Sequence, residues 1–299
     1  MSSTAEDAIP DAFFPSFDVL SPRQQTAAFV FSSPHSGRAY PRQFLAQSRL
    51  DPLTLRRSED CYVDRLFQSV AKLGAPLISA RFPRAYLDLN REPYELDPEL
   101  VSEPLPPHAN TMSIRVAGGL GTVARIVSDG ENIYRGRLSL SHVLSRIEQL
   151  YFPFHNELTR LVETTRRAFG FVVLIDCHSM PSSAMTPGGG ARPDVVIGDR
   201  FGASADQRLA HLVREEFQKR GFKVQMNRPY AGGFITEHHG QPHRGAHALQ
   251  LEINRGLYLH EATLTESAGY DALEQAIDEI AGELFLLAPQ LFDRQAAAE

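Results

Sequence analysis

The sequence has only two cysteines, Cys61 and Cys177, in 299 residues, which is too few for a disulfide framework. It contains no run of about 20 apolar residues, the length that a membrane-spanning helix needs. It also contains no lysine or arginine run, and its formal net charge is -6, so nucleic acids and anionic membranes are not expected partners. The N-terminus has acidic residues and no basic segment before an apolar block, so no signal peptide is predicted. We therefore expect a soluble, cytoplasmic protein.

Two familiar kinds of site motif are missing as well. No HExxH or CxxC motif is present, so metal ligands would have to converge from separate segments. The glycine runs GGLG (118–121) and GGG (188–190) are not followed by GK[ST] and do not match a phosphate-binding loop. We interpret both runs as flexible loops.

Apolar strand-like runs alternate with helix-like segments along most of the chain. This alternation predicts an α/β fold in which helices cover both faces of a sheet. We expect a loosely ordered N-terminal arm over residues 1–25 and one domain over 26–299, with a surface excursion at 92–137. The predicted strands lie at 27–33, 76–80, 85–90, 171–176, 195–198, 223–227 and 248–253, and the predicted helices begin at Asp60, run from Val143 to Leu161, span 205–219, and run from Leu273 to Leu287.

Polar residues collect at the ends of the apolar strands, where open α/β sheets place their sites. His35 follows the first predicted strand, where a turn histidine is the simpler interpretation. Asp176 and His178 end the most apolar strand, and strand alternation predicts that they share one face while Cys177 lies on the other. Asp176 is then placed to act as a carboxylate partner of the histidine.

Two further segments contain carboxylates with two possible roles. Ser58 could cap a helix whose first turn holds Glu59 and Asp60, or one of those carboxylates could be a metal ligand. Glu252 lies on the polar face of an alternating strand, either half exposed or acting as a general base. Two histidines and one carboxylate form a common catalytic zinc site. The sequence offers His35, His178 and either Asp60 or Glu59 for such a site.

The segment 234–247 contains four histidines, His238, His239, His243 and His247. A second metal cluster is one interpretation of this segment. Gly240, Pro242 and Gly245 disfavour a helix that would align the four rings, so we expect a mobile loop that faces the substrate or the solvent.

Six motifs occur in an order that is typical of one family. They are FSSPHSGRAYP (31–41), EDCYVDRLF (59–67), RAYLDLNR (84–91), DCHSM (176–180), GGFITEHHG (232–240) and HALQLE (247–252). From about residue 25 to 260 the chain resembles the N-formylglutamate amidohydrolases, the deformylases of histidine degradation. This resemblance implies a fold like that of the zinc carboxypeptidases, with three layers and a mixed sheet flanked by helices.

The resemblance also implies a site. One zinc ion, with other divalent metals as alternatives, would be held by His35, His178 and Asp60, with Glu59 as the second choice for the carboxylate. Glu252 would be the general base, and Asn90 and Arg91 match a pair that binds a substrate carboxylate in the wider superfamily. The chemistry of such a reaction adds Arg84 or Arg91 as the cation for the oxyanion, and Arg84, Arg91, Arg244 and Arg255 as candidate cations for a substrate carboxylate. Gly233, His238 and His247 are further predicted substrate contacts.

Three alternatives to N-formylglutamate hydrolysis remain at this stage. The same machinery could act on another N-acyl amino acid or small amide. The chain could be a metal-binding or ligand-binding relative without turnover, although a binder does not need a proton acceptor. Hydrolysis through a cysteine nucleophile is disfavoured because the side chains of Cys177 and His178 should diverge on their strand.

Overall fold

A computed structural model describes residues 8–127, 130–184 and 192–296 of the chain, with side chains described to residue 292. The described chain divides into two compact units, each built from segments that are distant in sequence. The first unit comprises Met1–Asp18, Pro34–Cys61 and Ser79–Glu157, and the second comprises Val19–Ser33, Tyr62–Ile78 and Leu158–Glu299.

A seven-stranded mixed sheet has the strand order β1-β3-β2-β4-β7-β5-β6. The pairs β2–β4, β4–β7 and β5–β6 are parallel, whereas β5 runs antiparallel to β7. This arrangement confirms the predicted α/β fold with a mixed sheet. The strands are β1 (Phe17–Leu20), β2 (Phe29–Ser33), β3 (Leu77–Ala80), β4 (Val172–Met180), β5 (Val195–Gly198), β6 (Val224–Met226) and β7 (Ala246–Asn254), and β8 (Leu259–His260) pairs with β9 (Thr265–Glu266) in a separate hairpin.

In the second unit the central strands have one largely apolar face, and the other face carries polar side chains toward the ends of the strands. Phe31, Ile175 and Leu251, from β2, β4 and β7, pack with residues of two helices, among them Phe217 and Ile277. The next residue on each strand, Ser32, Asp176 or Glu252, points the other way and is polar, which explains why these buried strands still carry ionisable groups. The helices of this unit are α3 (Val63–Leu66), α4 (Val70–Leu73), α8 (Gln207–Lys219), α9 (Phe234–His239) and α10 (Tyr270–Ala296), and α7 (Phe152–Phe169) begins in the first unit and ends in the second.

The first unit has much less regular structure. The described part of residues 92–137 contains one helix of four residues and several isolated bridges. Met112 and Ile114 are exposed in this segment, whereas Leu96, Val101 and Ile133 are buried. The segment predicted as a surface excursion therefore also contributes to the core of its own unit. The remaining helices are α1 (Arg42–Gln47), α2 (Pro52–Arg56), α5 (Ile114–Ala117) and α6 (Leu140–Arg146), and the π-helical segment Ile147–Tyr151 joins α6 to α7.

Several local predictions need correction. Residues 85–90 form turns rather than a strand. Ser58 does not cap a helix; its hydroxyl donates to the Leu55 carbonyl at 2.9 Å, and α3 begins only at Val63. The four-histidine segment is not a loop, because it forms α9, a 3-10 turn and the start of β7. The GGG run falls outside the described residues. None of the described helices combines the length and the apolarity that a bilayer span requires.

Candidate metal centre and active site

His35 lies in the turn that follows β2, and its side chain is only 1% exposed. The backbone N–H of Asp60 donates to the His35 carbonyl at 3.0 Å, and a carboxylate oxygen of Asp60 lies 3.4 Å from the ring Nδ1. Gly37 lets this turn pass close to neighbouring backbone, because a Cβ there would come within 2.0 Å of the Phe82 carbonyl oxygen. The turn is thereby fixed with His35 and Asp60 side by side.

A second carboxylate, that of Asp88, contacts the other nitrogen of the His35 ring. The distance from His35 Nε2 to Asp88 Oδ1 is 2.7 Å. The other Asp88 oxygen lies 2.9 Å from Arg84 Nε and 3.5 Å from an Arg91 nitrogen, and the backbone N–H of Asn90 donates to Oδ1. Burial alone would raise the pKa of Asp88, but Arg84, Arg91 and His35 hold it well below its usual range. Asp88 is therefore an ionised acceptor that orients the His35 ring.

His178 has an equivalent partner on its own strand. Its Nε2 lies 2.8 Å from a carboxylate oxygen of Asp176, and both side chains are almost fully buried. This contact confirms that the two residues share a face of β4. Cys177, between them, is fully buried, and its Sγ lies 3.6 Å from the Ile175 carbonyl oxygen.

Glu252 occupies the position next to His178 on the neighbouring parallel strand, β7. Paired positions on adjacent strands are about 5 Å apart and point to the same face. Glu252 is 7% exposed, and one of its oxygens accepts a hydrogen bond from the side-chain amide of Gln250 at 2.8 Å. A buried carboxylate thus lies beside His178.

One group of ligand atoms among the described residues could hold a metal ion. His35, Asp60 and His178, all buried, each offer one such atom, and these atoms lie within 4.8 Å of one another. Two imidazoles and a carboxylate suit zinc. No second group of three or more such residues occurs in the part of the chain that the structure describes, so the four-histidine segment forms no metal cluster there.

Glu59, the other carboxylate considered as a ligand, has different partners. Its two oxygens lie 3.2 and 3.3 Å from Arg56 Nε, and the Cys61 thiol donates to it at 3.2 Å. It is not a member of the metal-binding group. The geometry therefore favours Asp60.

The cations expected to contact substrate occupy different environments. The Arg84 side chain is 29% exposed beside Asp88. Arg91 is more deeply buried and donates to the Leu120 and Asn90 carbonyls, and burial lowers its pKa. Arg255, 6% exposed, donates to the Ser179 hydroxyl at 3.0 Å.

Not every predicted contact residue lies near these groups. His247 lies near the start of β7, five positions before Glu252, which corresponds to about 17 Å along a strand. Its Nδ1 accepts a hydrogen bond from the Asp206 backbone N–H, and its ring stacks on Phe292 at 4.5 Å. This is a packing role, so His247 leaves the candidate site. Arg244 is at the same end and donates to the Gln241 side chain.

Two further predicted contacts lie at helix α9. Gly233 immediately precedes the helix, and its N–H donates to the Gln250 side chain at 2.8 Å, which links it to the Glu252 region. His238 is exposed near the end of the same helix, where its ring stacks on Phe234.

Comparison with known proteins decides the family. The family whose sequence pattern matches residues 27–259 is described as N-formylglutamate amidohydrolase. This chain belongs to the N-formylglutamate amidohydrolase family. An N-formylglutamate deformylase from Pseudomonas putida is 29% identical to it over 81% of this chain and 86% of the relative, and one from Pseudomonas aeruginosa is 27% identical over 82% and 86%.

Solved structures agree with this assignment. The crystal structure of an N-formylglutamate amidohydrolase from Ralstonia eutropha JMP134 superimposes with a TM-score of 0.85 and 32% identity, over 91% of this chain and 98% of that one. A gene product from Agrobacterium tumefaciens, 20% identical with a TM-score of 0.60 over 90% and 94%, shares the fold. As a member of the N-formylglutamate amidohydrolase family, the chain is a hydrolase of carbon–nitrogen amide bonds.

Two residues of the site were not assigned a role from sequence. Asp88 stands within the RAYLDLNR motif, but nothing local to residue 88 indicates that it meets residue 35. Gln250 lies on the same face of its strand as Glu252. Its position two residues before Glu252 is the sequence feature that indicates a contact between the two side chains.

Proposed function

We propose that this amidohydrolase cleaves the amide of N-formyl-L-glutamate to formate and L-glutamate, with one zinc ion bound by His35, Asp60 and His178. The observation that carries the proposal is the buried group formed by these three side chains. The substrate is inferred from the names of the relatives, two deformylases and one amidohydrolase of N-formylglutamate. The family resemblance supports histidine degradation as the proposed setting of this reaction.

The donor set fits a divalent ion. Each histidine keeps one ring nitrogen against a carboxylate, Asp88 for His35 and Asp176 for His178, which fixes the ring orientation and makes the other nitrogen a better ligand. When bound, the ion supplies Lewis acidity toward a carbonyl oxygen and makes water acidic enough to lose a proton near neutral pH. The ionised Asp88 carboxylate would offset part of the positive charge of the ion in this buried region.

Glu252 is the proposed proton acceptor. Its place beside His178 would let it take the proton of the attacking water and deliver it to the amine that leaves. Arg84 is the proposed cation for the developing oxyanion, since its side chain is partly exposed while one of its nitrogens is held by Asp88. Asn90, Arg91 and Arg255 are proposed to bind the substrate carboxylates, for which the planar arginine fork is well suited. Gly233 and His238 stay proposed contacts at α9.

An assay of formate release tests the function. The purified enzyme should hydrolyse N-formylglutamate, lose this activity with a chelator and regain it with zinc, and elemental analysis should find about one zinc per chain. N-acetyl and N-succinyl glutamate should be poor substrates. Faster hydrolysis of either analogue would identify another acyl group, and full activity in the metal-free enzyme would contradict the metal site.

Replacement of Glu252 by glutamine tests the proton acceptor. Glu252→Gln keeps the size of the side chain but removes its basicity, so turnover should fall by about 1000-fold while zinc content stays near one. Kinetic assays and metal analysis of the same preparation measure the turnover and the zinc content. Near-normal turnover would assign proton transfer to another group.

A further inference from the structure

The side-chain amide of Gln250 joins the proposed proton acceptor to the backbone before helix α9. Its Oε1 accepts the Gly233 N–H at 2.8 Å, and its Nε2 donates to a Glu252 oxygen at 2.8 Å. A backbone N–H can only donate, so the amide oxygen must face Gly233 and the amide nitrogen must face Glu252. Gln250 is 5% exposed, which places both bonds in a buried environment. The direction of this hydrogen-bond chain is therefore fixed.

The Gly233 N–H reaches Gln250 because a glycine stands beside Gln250 on the next strand. Gly198 of β5 pairs with Gln250, and a Cβ at position 198 would come within 2.6 Å of Ala231 backbone. The missing side chain lets the 231–233 backbone cross close to the strand, where the Arg200 N–H donates to the Ala231 carbonyl at 2.7 Å. The contact between Gly233 and Gln250 is thus built into the sheet.

The turn before α9 requires glycine at position 232. Gly232 has a φ of +122°, a conformation that residues with a side chain rarely adopt. A Cβ there would lie 2.5 Å from the Thr236 hydroxyl oxygen, and that hydroxyl donates to the Gly233 carbonyl at 2.9 Å. A backbone donor whose own residue is bonded to Thr236 therefore holds one end of the Gln250 amide.

We propose that Gln250 is a positioning residue that fixes the orientation of the Glu252 carboxylate by anchoring it to the Gly232–Gly233 turn. The inference rests on the proposed role of Glu252. A carboxylate at the end of a side chain rotates through a broad range when nothing holds it. A donor on one of its oxygens restricts that rotation, so that one lone pair of the carboxylate would stay directed at the attacking water. Hydrogen bonds to a charged group are strong enough to matter for this purpose.

Two substitutions distinguish the contributions of the two hydrogen bonds that Gln250 makes, one with Gly233 and one with Glu252. Gln250→Met keeps a side chain of similar volume but removes both hydrogen bonds. Gln250→Glu keeps an acceptor for the Gly233 N–H but replaces the donor to Glu252 with a second carboxylate. If the donor to Glu252 is what matters, both variants should lose turnover, and Gln250→Glu should lose at least as much as Gln250→Met.

The decisive experiment is a double-mutant cycle on zinc-loaded protein, with formate release measured at high enzyme concentration. In the wild-type background, Gln250→Met should lower kcat by about 10- to 100-fold, with KM changed less than about threefold and zinc content unchanged. In the Glu252→Gln background, the same substitution should change kcat by less than about twofold, since a positioning residue acts through the group that it positions. Gln225→Met, on the half-buried strand β6, is the matched control and should keep wild-type kinetics.

The outcomes separate the two proposals. An equal loss of kcat in both backgrounds would overturn the positioning role and leave the role of Glu252 intact. A loss confined to KM, to zinc content or to the melting temperature would overturn it as well. If Glu252→Gln alone retains near-normal turnover, the proposed role of Glu252 fails, and the inference about Gln250 fails with it.

Discussion

The two buried histidines of the candidate site reach the same arrangement by different routes. His178 and its partner Asp176 are two residues apart on one strand, so the strand geometry places them together. His35 and its partner Asp88 are 53 residues apart, and Asp88 is fixed in its turn by Arg84, Arg91 and the Asn90 N–H. One pair is a local consequence of the sequence, whereas the other depends on tertiary structure. The two should therefore respond differently to substitution.

Removal of either histidine should have the largest effect on activity, because both histidines are proposed metal ligands although their pairs differ in origin. His35→Ala and His178→Ala should each lose bound zinc and lower kcat/KM by at least about 1000-fold, because the proposed metal ion would contribute several kcal/mol to the stabilisation of the transition state. Glu59→Gln is the control and should keep zinc, since that carboxylate contacts Arg56 and Cys61. Elemental analysis, activity and circular dichroism of the three proteins provide the measurement. Zinc retained by one alanine variant would remove that histidine from the ligand set.

The partner carboxylates should give intermediate effects and reveal the difference between the pairs. Asp88→Asn and Asp176→Asn should each weaken zinc binding by about 10- to 100-fold, which is typical for a residue that orients a ligand. Asp88→Asn should also lower the free energy of unfolding by about 2–4 kcal/mol, because it removes the charge beside two arginines. Zinc competition titrations and urea unfolding of the metal-free proteins measure the two quantities. An equal loss of stability in both variants would contradict the distinction between the pairs.

The same distinction explains what could be predicted from sequence. The strands predicted at 171–176, from a continuous apolar run, and at 248–253, from alternation, overlap the observed β4 and β7, although both observed strands are longer. Strand alternation also predicts that Asp176 and His178 share a face. The segment 92–137 has almost no periodic structure, so its burial could not be predicted from local patterns. Asp88 also lies in an irregular segment, so its contact with His35 could not be predicted from local patterns either. The residue types at the ends of the predicted elements offer His35 and either Asp60 or Glu59 as ligands, and the family resemblance supports this set and favours Asp60.

His247, a buried histidine outside the candidate site, extends the comparison. We expect its replacement to have the smallest effect on activity. His247 accepts an N–H through Nδ1, and burial lowers its pKa to about 4. Its folded pKa is below the unfolded value of about 6.5, so as the pH falls below 6.5 the unfolded chain takes up a proton that the folded chain does not. The stability contributed by neutral His247 should therefore decrease between about pH 6.5 and pH 4, with no further change below that range.

His247→Asn tests this titration because the amide oxygen can still accept the Asp206 N–H while the side chain cannot be protonated. Urea unfolding at pH 7 and pH 5 should show that the wild type loses about 2 kcal/mol more stability than the variant over this interval. Because His247 lies about 17 Å along its strand from Glu252, kcat/KM at pH 7 should stay within about threefold of wild type. Equal pH dependence in the two proteins would show that His247 is not held neutral. A large loss of kcat/KM in the folded variant would return His247 to the substrate site, so the two measurements test its burial and its distance from the chemistry separately.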